Sequence, residues 1–297
     1  MLSYKRHFKL FLAFSVKHNA SVVLSVPNLL GFLELLYQAQ VSPRALSNYL
    51  AAIKAILKIY HLPTIWMDSP LISNFMRAVS ISTPSVCKPK GLFSIQQVMQ
   101  MSKVLSSHPL QHHFRVAFLL SFMAFLRISN LVPPTTKAID KQKQLCWGDI
   151  LFTDQGAELT LRWAKNLQKA HQTHKVQIPI MSTKWLCPVL ALKNLYVVEK
   201  HSQGDLVLKV GDSCLTESHL RKTLGTVLRV LGIPMEGHSY HAFRRSGASL
   251  AFNQQVPFES IRSHGAWASD VIWAYLFRSS DKVSAVPKMF QSVDPRQ

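Results

Sequence analysis

Acidic residues are scarce in this chain of 297: 15 Asp and Glu stand against 34 Lys and Arg, a formal net charge of +19. Such an excess repels itself in a compact fold, so the shortage of carboxylates argues for a polyanionic partner, nucleic acid first and an anionic membrane surface second. Cysteine is scarce too. Cys87, Cys146, Cys187 and Cys214 lie far apart and form no C-x-x-C. That excludes a dense disulfide framework and reads as reduced thiols of an intracellular protein. Long apolar runs are missing. The longest, "VAFLLSFMAFL" at 116–126, is too short to span a bilayer, so no membrane partner is expected. Lys5, Arg6 and Lys9 interrupt the early apolar residues, which excludes a signal peptide there. No low-complexity run and no internal repeat is present.

What is there is apolar residues in quantity, 48% of the chain, which excludes a disordered protein and suffices for two domains with cores. Residues 1–81 read as all-helical. The clearest helix is "SPRALSNYLAAIKAILKIYHLP", with Ser42 as N-cap and Pro43 in the first turn. Leu46, Tyr49, Leu50, Ile53, Ile56, Leu57 and Tyr60 recur on one face, and Arg44, Lys54 and Lys58 share an adjacent edge. That cationic stripe suits a phosphate backbone. Residues 82–92, "STPSVCKPKGL", form an interdomain linker whose Lys88 and Lys90 are further DNA-contact candidates. Beyond it, "SIQQ" from Ser94 has capping-box form. A helix runs through "FRVAFLLSFMAFL" and ends near Arg127. "QLCWGDILF", "ELTLRW" and "KVQIPI" predict a small antiparallel sheet. Helices resume at "CPVLALKNLYVVEK", at "TESHLRKTLGTVLRVLG" with Thr216 as N-cap, at "HAFRRSGASLAF" and at "SDVIWAYLF", which Ser269 would cap.

Several polar side chains stand out in apolar surroundings. His241 and Arg244 are three apart on a helix and so share a face. A guanidinium that forks onto oxygens beside an imidazole that moves a proton suits a phosphate-like anion. Arg245 follows them. Arg127 stands directly behind a long apolar segment with no acidic residue near it in sequence, so it is expected to meet an anion or to snorkel to solvent. Lys165 follows "ELTLRW" at a hairpin tip, from which a lysine can reach into a site. Tyr275 lies on the apolar face of the last helix, with Val271, Ile272 and Leu276, where a core tyrosine is the local default.

The order of these residues resembles the tyrosine recombinase (phage integrase) family over essentially the whole chain. "FLRISNL" is similar to that family's first arginine box, "LCWGDI" with "LTLRWAK" to its β-hairpin with the lysine, "HAFRRSGAS" to its second box, and "SHGAWASDVIWAYL" to its tyrosine box. The wording of the last is most like recombinases of eukaryotic Crypton or DIRS-type mobile elements. The resemblance implies a mainly α fold with a small antiparallel sheet in two domains. A helical core-binding domain, 1–81, and an α+β catalytic domain, 93–297, would form a C-shaped clamp on duplex DNA. It implies Tyr275 as nucleophile, Arg127 and Arg244 as clamps on the scissile phosphate, His241 as general acid/base and Lys165 as general acid on the leaving 5′ oxygen. Trp267 takes a position held by histidine or tryptophan, with His264 in reserve, and Arg245 is expected on the DNA-facing rim. The chain departs from the pattern in three places. Asn130 replaces a carboxylate, Phe243 replaces a leucine, and Trp267 lies eight residues before Tyr275.

The implied reaction is site-specific cutting and rejoining of DNA through a 3′-phosphotyrosine, without metal or ATP, by a homo-oligomer on DNA, a tetramer. Nucleus in a eukaryote, or cytoplasm otherwise, is the expected location. The alternatives are a catalytically inactive DNA-binding protein derived from a mobile element and a type IB topoisomerase-like strand relaxer. Of the 13 histidines, His171 with His174 and His238 with His241 have the H-x-x-H form, but no Cys or carboxylate pattern completes a zinc site.

Overall fold

The computed structural model describes residues 2–20, 23–83, 90–107, 111–163, 173–198, 201–267, 272, 273 and 276. The chain separates into two compact units, Met1–Cys87 and Lys88–Gln297.

The first unit is helical: α1 (Leu2–Lys17), α2 (Val26–Gln38), α3 (Pro43–Ile59) and α4 (Pro70–Ser82), with a 3₁₀ turn at Ile65–Asp68. Serine starts three of these helices. The hydroxyls of Ser25, Ser42 and Ser69 each accept a backbone N–H of the first turn, and a proline follows within two residues each time. Side-chain capping and a pre-set φ start each helix where the sequence writes it. The apolar face of α3 buries Leu46, Ile53, Ile56 and Leu57. Leu46, Ile53 and Leu57 close on Phe11 of α1 and Leu29, Phe32 and Leu33 of α2. Tyr60, expected on that face, lies past the helix end and is 65% exposed.

The second unit is built around α6 (His112–Met123), buried along nearly its whole length. α5 (Ile95–Val104) precedes it, opened by a reciprocal capping box between Ser94 and Gln97. Strands β1 (Ile150–Phe152), β2 (Gly156–Leu161) and β3 (His174–Pro179) form an antiparallel sheet in that order. Ile150 pairs with Leu159 and Leu159 with Val176. The alternating side chains Ala157, Leu159, Leu161, Val176 and Ile178 face the core, as period-2 geometry requires. Helix α8 (Pro188–Val198) packs on both β3 and α6. Short strands β4 (Lys209–Val210) and β5 (Ser213–Cys214) lead into α9 (Glu217–Val230), where Thr216 stands at the N-cap and its N–H donates to Nδ1 of His219. Then come α10 (Ala242–Asn253) and α11 (Phe258–His264). Among the described residues no helix is long and apolar enough to cross a membrane.

α6 and α10 lie so close that a Cβ on Gly247 would sit 2.0 Å from the carbonyl oxygen of Phe122. Phe118 and Phe243 pack as a tilted pair across the same seam with centroids 4.6 Å apart, and the Tyr240 hydroxyl donates to the Ala117 carbonyl. This seam fixes the start of α10, which carries His241, against the end of α6, which leads to Arg127. Cys146, Cys187 and Cys214 are buried and unpaired, and Cys87 lies outside the described residues.

Candidate active site

Helix α6 stops four residues short of Arg127. The sequence predicts a helix up to that arginine, but Phe125 adopts φ +50° and breaks it. A left-handed phenylalanine is strained. Tertiary contacts hold it: its ring meets His264 edge-on at 4.8 Å and lies 6.0 Å from Trp267. The break frees Arg127 to stand at the N-cap of a short helix, α7 (Ile128–Leu131), rather than trail from α6. Its backbone N–H donates to Oδ1 of Asn130 at 3.2 Å.

Helix α10 begins one residue after His241. Arg244 is 2% exposed. Its Nη1 donates to the Phe125 carbonyl and its Nη2 to the Gly265 carbonyl at 2.7 Å, while the guanidinium carbon lies 3.9 Å from the centre of the Trp267 ring. The resemblance puts Arg245 on the DNA-facing rim, and the residue is 8% exposed and donates to the Gly91 carbonyl. Being next to Arg244, it must point to another side of the helix, and there it meets the chain that enters this unit.

The third segment is the turn after α11. Ala266 also has φ +50°, and a Cβ on Gly265 would fall 1.7 Å from the Trp267 ring. The turn therefore needs its glycine. Trp267 is buried and packs with Phe125, Ala248, Ile261 and Ile272. Nε2 of His264 donates to the Met123 carbonyl at 2.9 Å, and Nε2 of His174 donates to the His264 carbonyl at 3.2 Å. A carbonyl can only accept, so both rings carry their proton on Nε2. His174 opens β3, so these bonds tie the foot of the hairpin to the turn that carries Trp267. Sequence reasoning kept His264 in reserve for a phosphate role and met His174 only in an H-x-x-H pattern. No local signal announces a side chain that bonds a backbone carbonyl 90 residues away.

The electrostatics join these segments. The His241 imidazole is pushed down to about 4, by burial first and then by the positive charges of Arg244, Arg245, Arg127 and Lys90. Burial likewise lowers His264. His241 is thus neutral at pH 7, in a field of four cations from three stretches of chain. Such a site favours an anion and stores that preference before any ligand arrives.

Of the residues singled out in sequence, Arg127, His241, Arg244, Arg245, Lys90 and Trp267 come together here. Lys165, Tyr275 and Lys88 lie outside the described residues, as does Ser269. In the first unit, Arg44 and Lys58 are exposed along α3. Lys54 is instead engaged by Asp68.

No protein-family model matches the chain, and no curated protein matches it. Solved structures do. The fold is similar to that of the XerH site-specific recombinase bound to a palindromic difH substrate in a post-cleavage complex (TM-score 0.64, 14% identity, 96% of this chain and 76% of that one). It is similar to the Tn1549 transposon integrase in complex with transposon right end DNA (0.57, 12%, 96% and 99%). It is also similar to a lambda integrase dimer bound to a COC′ core site (0.57, 13%, 94% and 88%). At these identities the likeness is one of fold. The chain has the tyrosine recombinase fold, mainly helical with small antiparallel sheets.

Proposed function

We propose that this chain is a site-specific DNA recombinase or integrase that cuts and rejoins strands through a 3′-phosphotyrosine at Tyr275. The observation that carries the reading is the neutral His241 held among Arg127, Arg244, Arg245 and Lys90. A phosphodiester resists nucleophiles because of its charge. Arg127 and Arg244 neutralise that charge and hold the pentacovalent transition state, each contact contributing on the order of 3 kcal/mol. The phenol oxygen of Tyr275 attacks phosphorus and passes its proton to His241, whose basicity rises once the phosphate offsets the surrounding cations. The bond from phosphorus to the 5′ oxygen breaks, and Lys165 protonates the leaving oxygen. Attack by the 5′ hydroxyl of another strand reverses the step, so the bond energy is conserved and neither metal nor ATP enters. The roles of Tyr275 and Lys165 rest on their motifs.

The same reading assigns the first unit as a core-binding domain and duplex DNA as the partner. Assembly is as a tetramer on DNA, since recombination joins two sites. The reading extends to a recombinase of Crypton or DIRS type, whose tyrosine-box wording the chain's is most like, with the nucleus as its location in a eukaryote. The test is incubation with nicked duplexes, isolation of a denaturation-resistant adduct and mapping of the linked residue. The expected result is a link at Tyr275, lost in Tyr275→Phe with DNA binding retained. DNA binding with no adduct on any duplex would replace the proposal with an inactive DNA-binding protein. Relaxation of supercoils without strand joining would replace it with a topoisomerase.

A further inference from the structure

Asn130 stands where the resembling family carries a carboxylate, and the structure gives this amide two tasks that a carboxylate cannot both perform. It is 2% exposed. Its Oδ1 accepts the N–H of Arg127 at 3.2 Å, and its Nδ2 donates to the carbonyl of Trp163 at 3.0 Å. The partners settle the orientation of the amide, because a peptide N–H only donates and a carbonyl only accepts. Its own backbone is held as well: the Asn130 N–H donates to the Arg127 carbonyl at 2.9 Å, and the Leu145 N–H donates to the Asn130 carbonyl at 2.8 Å. Arg127 is therefore gripped from both of its peptide groups. Trp163 stands two residues before Lys165, just beyond the Leu161–His174 pair that ends the β2–β3 ladder.

We infer that Asn130 is a positioning residue whose carboxamide fastens the Arg127 backbone to the root of the hairpin that carries Lys165, and that the family's carboxylate cannot replace it here. An ionised carboxylate keeps the acceptor for Arg127. It has no proton for Trp163, so two acceptors, one of them on the buried Asn130 side chain and the other part-buried, would face each other, and the hairpin root would be pushed away. Alanine would release both segments. The two substitutions thus separate the two attachments. The inference rests on the recombinase reading for the role of Lys165.

The experiment compares the wild type, Asn130→Asp and Asn130→Ala on nicked duplexes carrying either the natural 5′ oxygen or a bridging 5′ sulfur at the scissile phosphate. Sulfur leaves without a proton and so bypasses Lys165. With oxygen, Asn130→Asp is expected to slow single-turnover adduct formation roughly 10- to 100-fold, the range for one buried acceptor left unmatched. With sulfur most of that loss should vanish for Asn130→Asp and persist for Asn130→Ala, which also loses its hold on Arg127. Wild-type rates for Asn130→Asp on oxygen, or equal defects on both substrates, would overturn the inference. Amide exchange of the free proteins reads the same coupling without chemistry. Asn130→Asp should speed exchange around Leu161 and His174 but not at Arg127, and Asn130→Ala should speed both. Alanine buries no charge and serves if the aspartate variant does not fold. Should the wild type form no adduct, the recombinase reading fails, while unchanged exchange around Leu161 and His174 in the variants would sink the coupling itself.

Discussion

Arg244 lies over Trp267, its guanidinium carbon 3.9 Å from the ring centre, while its nitrogens bond the carbonyls of Phe125 and Gly265. One side chain thus closes three segments on one another: α10, the turn before Arg127 and the turn before Trp267. Both turns contain a left-handed residue, Phe125 and Ala266, and the arginine offsets their strain. Arg244→Ala should therefore lower stability as well as abolish adduct formation. Stranding two buried carbonyls costs about 2–4 kcal/mol. Urea unfolding should show a lower midpoint with an unchanged slope. A midpoint equal to the wild type would mean that Arg244 holds nothing together.

His241 gives a pH dependence with a definite sign. Its folded value, about 4, lies below the ordinary 6.5. Between these values the unfolded chain binds the proton and the folded chain does not. Stability must therefore fall as pH drops from about 6.5 toward 4 and level off below that. In His241→Gln this part of the dependence should disappear. Urea midpoints taken across that window, wild type against variant, check it; parallel curves would show that the imidazole does not titrate as the surrounding cations require.

Gly247 tests the seam that sets the site. A methyl group there meets the Phe122 carbonyl at 2.0 Å, and helix backbones cannot yield as a flexible side chain does. Gly247→Ala should cost about 1–3 kcal/mol by overpacking, even though alanine favours helix over glycine. A thermal midpoint at or above that of the wild type would contradict the close approach of α6 and α10.

The lysines of α3 should not be equivalent. Lys54 is paired with Asp68, whereas Lys58 is exposed. If the helix tracks a phosphate backbone, Lys58→Ala should weaken DNA binding and reduce the slope of log affinity against log salt by about 0.9, the release of one counterion. Lys54→Ala should change that slope less. Equal effects from the two, measured by salt titration of fluorescence anisotropy, would remove the distinction.

Local rules were legible in the chain. Ser42 with Pro43, and Ser94 with Gln97, mark helix starts that appear where expected, because a cap is settled among neighbours in sequence. The alternation in "ELTLRW" and "KVQIPI" likewise gave the hairpin, because pleating is local. The end of α6 was not legible. Nothing near Phe125 forbids another helical turn; the Arg244 bond, the His264 ring and Trp267 stop it, and all three come from more than a hundred residues away. The burial of Arg245 was not legible for the same reason, since the carbonyl it bonds, that of Gly91, is 154 positions distant.

Sequence alone determined the excess of positive charge, the types and order of the candidate site residues and the starts of several helices, because charge, capping and periodicity belong to neighbours in the chain. Only the tertiary structure decided that Arg127, Arg244, Arg245 and Lys90 surround one neutral imidazole, that two of these arginines also hold backbone carbonyls, and that Asn130 ties one arginine to the hairpin. Those are properties of distance and burial, which exist only once separate segments have packed together.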